Sequence, residues 1–224
     1  MGLRVLIFHL FLFSAPLLQS DELLHKSFWK NTSSDRLKAL ALLETLHADL
    51  LAAKSATIVL EAWCKDHRQS PDPKIQAIRD PALQKPAPAE VKELLKVTPQ
   101  ESIRYRSVRL TCGKHIFSEA DNWYVPERLT PVMNERLDKT DTPFGIAVKD
   151  LNFTRRTIGD ERLWIPLDKG WEMKALTSHT THHRLEIPTY VLRTRATLST
   201  PDHSTFSVVD ESYRHDLFDF RLSP

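Results

Sequence analysis

Apolar residues occupy the alternate positions 108, 110 and 112 at the end of the segment 103–112, and this alternation predicts a β-strand over that segment. One face of the strand carries the following side chains: Arg106, Val108, Leu110 and Cys112. Because the last three are apolar, we expect this face to be buried. A buried guanidinium is costly unless it meets a carboxylate or another anion, so Arg106 is the first candidate functional residue.

Further segments are predicted to be strands because they alternate or are rich in β-branched and aromatic residues. They comprise residues 55–64, 117–124, 146–156, 189–198 and 204–213. In the last of these strands Val209, Glu211 and Tyr213 share one face. Glu211 is therefore a second charged group on a partly apolar surface.

Helical spacing is clearest in the first third of the chain. The apolar stripe of a helix that begins at Asp35, after a capping Ser34, comprises Leu40, Leu43, His47 and Leu50. His47 is either a core histidine with a satisfied ring nitrogen or a group that faces a cavity. Shorter helices are predicted over residues 89–95 and directly after Thr130.

Polar segments separate these elements. Residues 27–33 are predicted to be a loose lead, and residues 65–101 and 160–185 are predicted to be surface insertions, the former because of its many prolines. The elements join through hairpin-type connections. We therefore predict one α+β domain over residues 21–224, with a six-stranded antiparallel sheet.

Composition narrows the function classes. The 224 residues are 41% hydrophobic and 27% charged, as in ordinary globular domains, and the net charge of +2 does not favour nucleic acid as a partner. No GxGxxG, P-loop, HExxH or CxxC motif occurs, so no cofactor is expected. The cluster of His179, His182 and His183 has no carboxylate or Cys at ligand spacing, so we expect no metal site there.

Residues 1–20 have the layout of a secretory signal peptide: the basic MGLR, the apolar VLIFHLFLF and then SAPLLQS. The apolar run is short for a membrane span, so we expect a secreted protein with no stable span after signal removal. Sequons at Asn31 and Asn152 fit a glycoprotein. Cys64 and Cys112 either pair in an oxidising compartment or remain free buried thiols.

Four short motifs, in order, resemble the chorismate lyase family, within a superfamily that includes ligand-binding domains of bacterial transcription regulators. They are RSVRL at 106–110, ADNWYVP at 120–126, TPFG at 142–145 and DESY at 210–213, within a similar region of residues 37–213. The resemblance implies a six-stranded antiparallel sheet with helices packed on one side and an enclosed ligand cavity.

The resemblance also implies roles for individual residues. The family's Arg and Glu that match Arg106 and Glu211 bind the two ends of 4-hydroxybenzoate, and the residue that matches Phe144 lines the site. A further family Arg falls at Asn122, and a ligand-contacting Met falls at His47.

These observations support a cofactor-free lyase or isomerase that acts on a small aromatic or cyclic carboxylic acid, as a monomer. Arg106 would anchor the carboxylate, Glu211 would handle a hydroxyl or a proton, and His47 would be a general base. One alternative is a binding protein without catalysis. Another is an interaction protein in which Arg106 and Glu211 form a plain salt bridge. The first two hypotheses predict a cavity that contains both groups, whereas the third predicts direct contact.

Overall fold

The computed structural model describes residues 24–175 and 183–221. Its main body is a six-stranded antiparallel sheet in the order β2-β3-β4-β8-β7-β5, and β1 and β6 form a separate two-stranded sheet. The strands are β1 Leu24–Lys30, β2 Ile75–Arg79, β3 Arg104–Cys112, β4 His115–Tyr124, β5 Thr154–Arg162, β6 Arg184–Pro188, β7 Tyr190–Ser199 and β8 Thr205–Arg214. The helices are α1 Ser33–Ala52, α2 Ala56–Asp66, α3 Ala89–Leu95, α4 Pro131–Lys139 and α5 Phe144–Ala147. The predicted α+β class with a six-stranded antiparallel sheet is confirmed.

The largest part of the core lies between one face of the sheet and the helices α1 and α2. It includes Leu43, Leu46 and Leu50 of α1, Leu60 and Trp63 of α2, and Val108 and Leu110 of β3. On the opposite face, Val91 and Leu95 of α3 pack with Trp123 and Val208. Because side chains alternate along a strand, Asn122 and Val209 point towards the other side of the sheet.

The start of the chain is more regular than the sequence indicates. The expected loose lead over residues 27–33 is wrong, because β1 extends to Lys30, which pairs with Arg184 of β6, and α1 begins at Ser33. The strands are separated by some 150 residues, so the pairing leaves no local signal. Helix α1 is capped by Thr32 and not by Ser34: the Thr32 hydroxyl oxygen accepts a hydrogen bond from the Asp35 N–H at 3.2 Å.

The predicted strand over residues 55–64 is wrong, because this segment forms α2. Its buried residues are Thr57, Leu60, Trp63 and Cys64, a spacing of three or four that suits a helix lying on a sheet. The run of Thr57, Ile58 and Val59 favours a strand by intrinsic preference, and tertiary packing overrides that preference.

The sixth strand comes instead from the predicted surface insertion over residues 65–101. Its residues 75–79 form β2, which pairs with β3 and lies at one edge of the sheet. The helix predicted over residues 89–95 is present as α3. The insertion is therefore partly structural.

Two further boundaries differ from those predicted. The strand expected over residues 146–156 begins only at Thr154, because α5 and a 3₁₀ turn over Lys149–Leu151 precede it. The insertion predicted over residues 160–185 contains the end of β5 and the start of β6. His179 and His182 of the histidine cluster lie outside the described residues.

Cys64 and Cys112 form a disulfide, with their Cα atoms 6.4 Å apart. This resolves the alternatives that the sequence leaves open, and it fixes α2 to β3. Across residues 24–175 and 183–221 no helix combines the length and apolarity that a membrane crossing requires. Within the same ranges no group of His, Cys, Asp and Glu side chains is arranged to hold a metal ion.

Candidate functional site

A cavity of about 70 Å³ lies between the face of the sheet that carries Arg106 and the elements above it. Its floor is formed by residues of β3, β4 and β8: Arg106, Val108, Leu110, Ala120, Asn122, Val209 and Glu211. Strand register brings them together, because Arg106 lies opposite Asn122 and Asn122 lies opposite Val209. Such a volume exceeds the roughly 10–15 Å³ that one water molecule needs.

The start of α2 and the turn before α5 form the opposite wall of the cavity. Ser55 directly precedes α2, and Ala56 and Thr57 begin it; Pro143 directly precedes α5, and Phe144 and Gly145 begin it. A Cβ added at Gly145 would lie 2.7 Å from the Ser55 hydroxyl oxygen, so this close approach requires glycine. Ser55 makes no side-chain cap to α2. The first N–H groups of the helix therefore begin at the cavity without a capping hydroxyl.

Arg106 is buried in this cavity and is only partly satisfied. Its side chain is 7% exposed, and its Nη2 donates a hydrogen bond to the Thr142 carbonyl oxygen at 3.1 Å. Its Nε and Nη1 are buried without a hydrogen-bond partner. Burial, together with the nearby positive charge of Arg79, lowers the pKa of Arg106 to about 10. The charges of Asp138 and Asp141 act in the opposite direction, yet among the described residues no carboxylate forms an ion pair with this guanidinium.

Glu211 lies across the cavity from Arg106. It is 4% exposed, and its Oε1 accepts a hydrogen bond from the Ser118 hydroxyl at 2.7 Å. Burial raises the pKa of Glu211, although the hydrogen bond from Ser118 and the charge of Arg155 act in the opposite direction. A raised pKa favours the protonated carboxyl, which can donate as well as accept a hydrogen bond.

Arg106 and Glu211 are separated by the cavity. Strand β4 lies between β3 and β8, so their backbones are two strand spacings apart, about 9–10 Å. Within the described ranges no ion pair connects the two side chains. The direct contact that a plain salt bridge requires is therefore not formed.

Asn122 and Phe144 also line this cavity. The Asn122 side-chain oxygen accepts a hydrogen bond from the Ser207 hydroxyl at 2.6 Å, which fixes the amide on the floor. The Phe144 ring packs against Tyr124 and Phe206, with centroids 5.4 and 6.4 Å away. Asn122 thus lies beside Arg106 on the floor of the cavity, and Phe144 lies on its wall.

His47 does not line this cavity. The ring is buried on α1, and its Nε2 lies 3.1 Å from the Asp160 Oδ2 at the end of β5. Glu44 lies on the other side of the ring, 3.9 Å from Nδ1. The expectation that His47 is a cavity-facing general base is therefore not met, because its face of α1 turns towards β5.

No family model matches the chain. A comparison with curated proteins gives an uncharacterized protein, y4mC of Sinorhizobium fredii, which is 45% identical over 204 residues. The match covers 91% of the present chain and 86% of the relative. The chain belongs to the y4mC family.

Solved structures with a similar arrangement are transcriptional regulators. PhnF from Mycobacterium smegmatis is 13% identical with a TM-score of 0.48, and the match covers 78% of the present chain and 69% of PhnF. YydK from Bacillus subtilis, described as a possible transcriptional regulator, is 14% identical with a TM-score of 0.41. That match covers 67% of the present chain and 62% of YydK. Similarity at this level does not transfer a function to the y4mC family.

In this member of the y4mC family, several cavity residues are absent from the sequence-based candidates. They are Lys54, Ser55 and Thr57 at the start of α2, and Arg155 on β5. Each lies in a segment for which the wrong element or the wrong boundary is predicted. Ser55 is of a residue type that favours the N-cap position, so it is a signal for a helix that begins at Ala56.

Proposed function

We propose that the protein binds a small organic acid, aromatic or cyclic, in the cavity between Arg106 and Glu211. The observation that carries the proposal is the state of Arg106, a buried cation whose Nε and Nη1 lack partners. An unpaired buried guanidinium is costly, whereas a carboxylate that meets it in a planar fork forms two charge-assisted hydrogen bonds. The four sequence motifs resemble those of the chorismate lyase family, in which the matching Arg and Glu bind 4-hydroxybenzoate, and this resemblance supports the proposal.

The start of α2 makes the cavity more favourable to an anion. Helix N-termini carry partial positive charge and free N–H groups, and both favour an anion. α2 is 11 residues long, and its first residues line the same cavity as Arg106. The wall of the cavity thus adds hydrogen-bond donors to those of the floor.

Glu211 suits the opposite, hydroxyl-bearing end of such a ligand. Its carboxyl is held by Ser118 and is separated from Arg106 by the apolar side chains of Val108 and Val209. A ring with a carboxylate on one side and a hydroxyl on the other therefore matches the order of cation, apolar floor and carboxyl.

A ligand screen tests the proposal. With 4-hydroxybenzoate, we expect a rise in the melting temperature of the wild-type protein and a saturable signal in isothermal titration calorimetry. Arg106→Gln should abolish both, while Arg109→Gln should preserve them. Arg109 is a matched control because it lies exposed on the other face of the same strand. Equal binding by wild type and Arg106→Gln would contradict the proposed role of Arg106.

A cofactor-free lyase or isomerase reaction is a second candidate function, and the raised pKa of Glu211 favours it. Burial raises the pKa of Glu211, so its carboxyl keeps its proton to a higher pH than an exposed one, and a protonated carboxyl can deliver a proton to a leaving oxygen. The test is product analysis after incubation with chorismate, followed by the same assay on Glu211→Gln. Product from wild type but not from the variant supports catalysis, and ligand binding without any product supports a binding protein.

We also propose that the protein follows the secretory route. The disulfide between Cys64 and Cys112 supports this, because such bonds persist in oxidising compartments. N-terminal sequencing of protein recovered outside the cytosol should give a chain that begins near residue 21. A full-length chain with an intact initiator Met and a reduced Cys64 would contradict export.

A further inference from the structure

Strand β3 extends beyond the end of its neighbour β2 and leaves a short free edge. β2 ends at Arg79, which lies opposite Val108, and the Asp80 N–H still donates to the Ser107 carbonyl oxygen at 3.2 Å. The next backbone groups on this side of β3 are those of Tyr105, because every second residue faces the same neighbour. On that side, in the part of the chain that the structure describes, no residue pairs with the N–H or the carbonyl oxygen of Tyr105.

A slot of about 470 Å³ runs along this free edge. Residues 103–107 line its inner side, and residues from the segment 80–87, which turns away from β3 directly after β2, line its outer side. This outer wall is fixed to β4, because the Trp123 Nε1 donates to the Lys85 carbonyl oxygen at 3.3 Å. The slot is therefore a groove beside a strand edge, several times larger than the cavity of about 70 Å³ beneath α2.

Arg79 places an unbalanced positive charge at one end of the slot. It lines the slot and, unlike Arg106, does not line the cavity beneath α2. Its Nη1 donates to the Leu137 carbonyl oxygen at 3.4 Å, and its Nε is buried without a hydrogen-bond partner. Among the residues that the structure describes, no carboxylate forms an ion pair with Arg79. The Arg79 guanidinium is thus open to an anion from outside the chain.

The remaining charged side chains along the slot offer Arg79 no counter-ion. Arg106 borders both the slot and the cavity beneath α2. Arg104 pairs with Asp138 at 3.0 Å, and Lys85 pairs with an aspartate of β4 at 2.5 Å. An Asp80 side-chain oxygen accepts from a backbone N–H of its own turn at 3.1 Å. The acidic groups that line the slot are therefore already engaged.

The position of β2 fixes where an occupant of the slot must end. Unpaired groups at a strand edge pair with the main chain of an added strand. A strand that lies along residues 103–107 must end where β2 already occupies the edge, and Arg79 stands at that point. A peptide C-terminus brings a carboxylate there, which a guanidinium binds through charge-assisted hydrogen bonds, whereas an N-terminal ammonium would be repelled.

Other occupants account for fewer of these observations. A small anion would satisfy Arg79 but leave the backbone groups of Tyr105 unpaired. A second copy of the protein would bring a whole sheet edge, whereas the wall formed by the segment 80–87 leaves space for one extended chain. The observations therefore favour a peptide that runs parallel to β3, with its C-terminus at the β2 end.

We propose that the slot binds the C-terminal segment of an extended peptide, which adds a strand beside Tyr105 and places its terminal carboxylate at Arg79. The main chain supplies the pairing, so the peptide needs an extended backbone and a free C-terminus and little else in its sequence. The site lies at the edge of the sheet, and it stands independently of acid binding in the cavity beneath α2.

Titration of the full chain with a short peptide tests the proposal. The probe is acetyl-Thr-Val-Thr-Val with a free C-terminus, because β-branched residues favour an extended backbone, and its control is the same peptide with a C-terminal amide. We expect the probe, at millimolar concentration, to shift the amide signals of Tyr105 and Ser107 saturably in nuclear magnetic resonance spectra and to slow hydrogen exchange at Tyr105. The amidated peptide should bind at least fivefold more weakly.

Two variants isolate the contribution of Arg79. Arg79→Gln should bind the two peptides equally, and Arg79→Lys, which keeps the charge without the planar fork, should retain part of the preference for the free acid. Arg109→Gln is the control and should behave as wild type, because Arg109 is exposed on the same strand and lies outside the slot. The comparison of acid with amide in wild type decides the proposal even if a variant fails to fold.

Several results would overturn the proposal. One is a spectrum of the folded protein in which the probe shifts no signal of residues 103–107. Another is equal binding of both peptides by wild type, or an undiminished preference for the free acid in Arg79→Gln. The same shifts with acetate would show a site for small anions only. Shifts that depend on protein concentration without any peptide would assign the edge to a second copy, and either of these last two results also overturns the peptide site.

Discussion

Arg106 and Arg128 are two arginines in contrasting surroundings. Arg128 is fully engaged by the chain: Glu101 accepts from its Nε and Nη2 at 2.6 and 2.7 Å, and the carbonyl oxygens of Leu95 and Thr205 accept from its Nη1. Arg106 makes one hydrogen bond, to Thr142, and has two buried nitrogens without a partner. The difference separates a structural arginine from one whose partners come from outside the chain.

The disulfide gives the largest expected effect on the cavity region. Cys64 and Cys112 are 48 residues apart, and closing such a loop in the unfolded chain is worth about 4 kcal/mol. Replacing both with Ala should lower the free energy of unfolding by about that amount in urea titrations. It should also weaken ligand binding, because α2 would no longer be fixed to β3. An unchanged midpoint would show that α2 is held by packing alone.

Arg128→Gln is expected to lower the free energy of unfolding by about 3 kcal/mol, since it leaves buried carbonyl acceptors without their charged donor. Ligand affinity should stay within twofold of wild type, because Arg128 does not line the cavity. Urea unfolding with calorimetric binding measures both quantities. If Arg128→Gln unfolded with the same free energy as wild type, Arg128 would not be a structural arginine in contrast to Arg106.

Arg106→Gln is expected to show the reverse pattern. Its free energy of unfolding should stay within about 1 kcal/mol of wild type, because removing a buried unpaired cation offsets the lost packing. Binding of 4-hydroxybenzoate should be lost. A destabilisation as large as that of Arg128→Gln would show that Arg106 is structural, and Arg109→Gln again serves as the control.

The pKa values of Glu101 and Glu211 are shifted in opposite directions, so stability should depend on pH in opposite ways at these two carboxyls. Arg128 holds the pKa of Glu101 down at about 2, so its stabilising contribution is present above the ordinary pKa of 4.5 and is lost as pH falls towards 2. Burial raises the pKa of Glu211, so its ionisation costs stability as pH rises above 4.5. The stability of Glu101→Gln should therefore depend less on pH between 4.5 and 2 than that of wild type. The stability of Glu211→Gln relative to wild type should increase as pH rises. Thermal unfolding from pH 2 to 8 measures the stability of both variants relative to wild type. If this difference changed with pH in the same direction for both variants, the opposite pKa shifts of Glu101 and Glu211 would be contradicted.

Much of the cavity floor could be predicted from the sequence, because it depends on alternation within single strands. Arg106 lies on the expected buried face of β3, and Glu211 lies on the face of β8 that is on the same side of the sheet. The wall could not be predicted in the same way. α2 has the β-branched composition of a strand, and it forms a helix because its buried side chains pack at helical spacing; the bond from Cys64 to Cys112 fixes that helix to β3.

Long-range pairing accounts for the other misplaced residues. β2 is an edge strand within a proline-rich segment, and β1 pairs with a strand far along the chain. The predicted strand over residues 146–156 contains Arg155 but begins eight residues before β5, within α5, so the sequence does not indicate which groups Arg155 meets. His47 follows the helical stripe correctly, yet the rotation of α1 turns it towards Asp160. Periodicity gives the buried face of an element but not the neighbour that the face meets.

The most direct test of acid binding between Arg106 and Glu211 is a crystal structure of the wild-type protein from crystals grown with 4-hydroxybenzoate. We expect the ring to lie over Val108 and Val209, with a carboxylate oxygen about 3 Å from Nε or Nη1 of Arg106 and the hydroxyl directed at Glu211. A structure at saturating ligand in which the cavity is closed and Arg106 contacts Glu211 directly would contradict it.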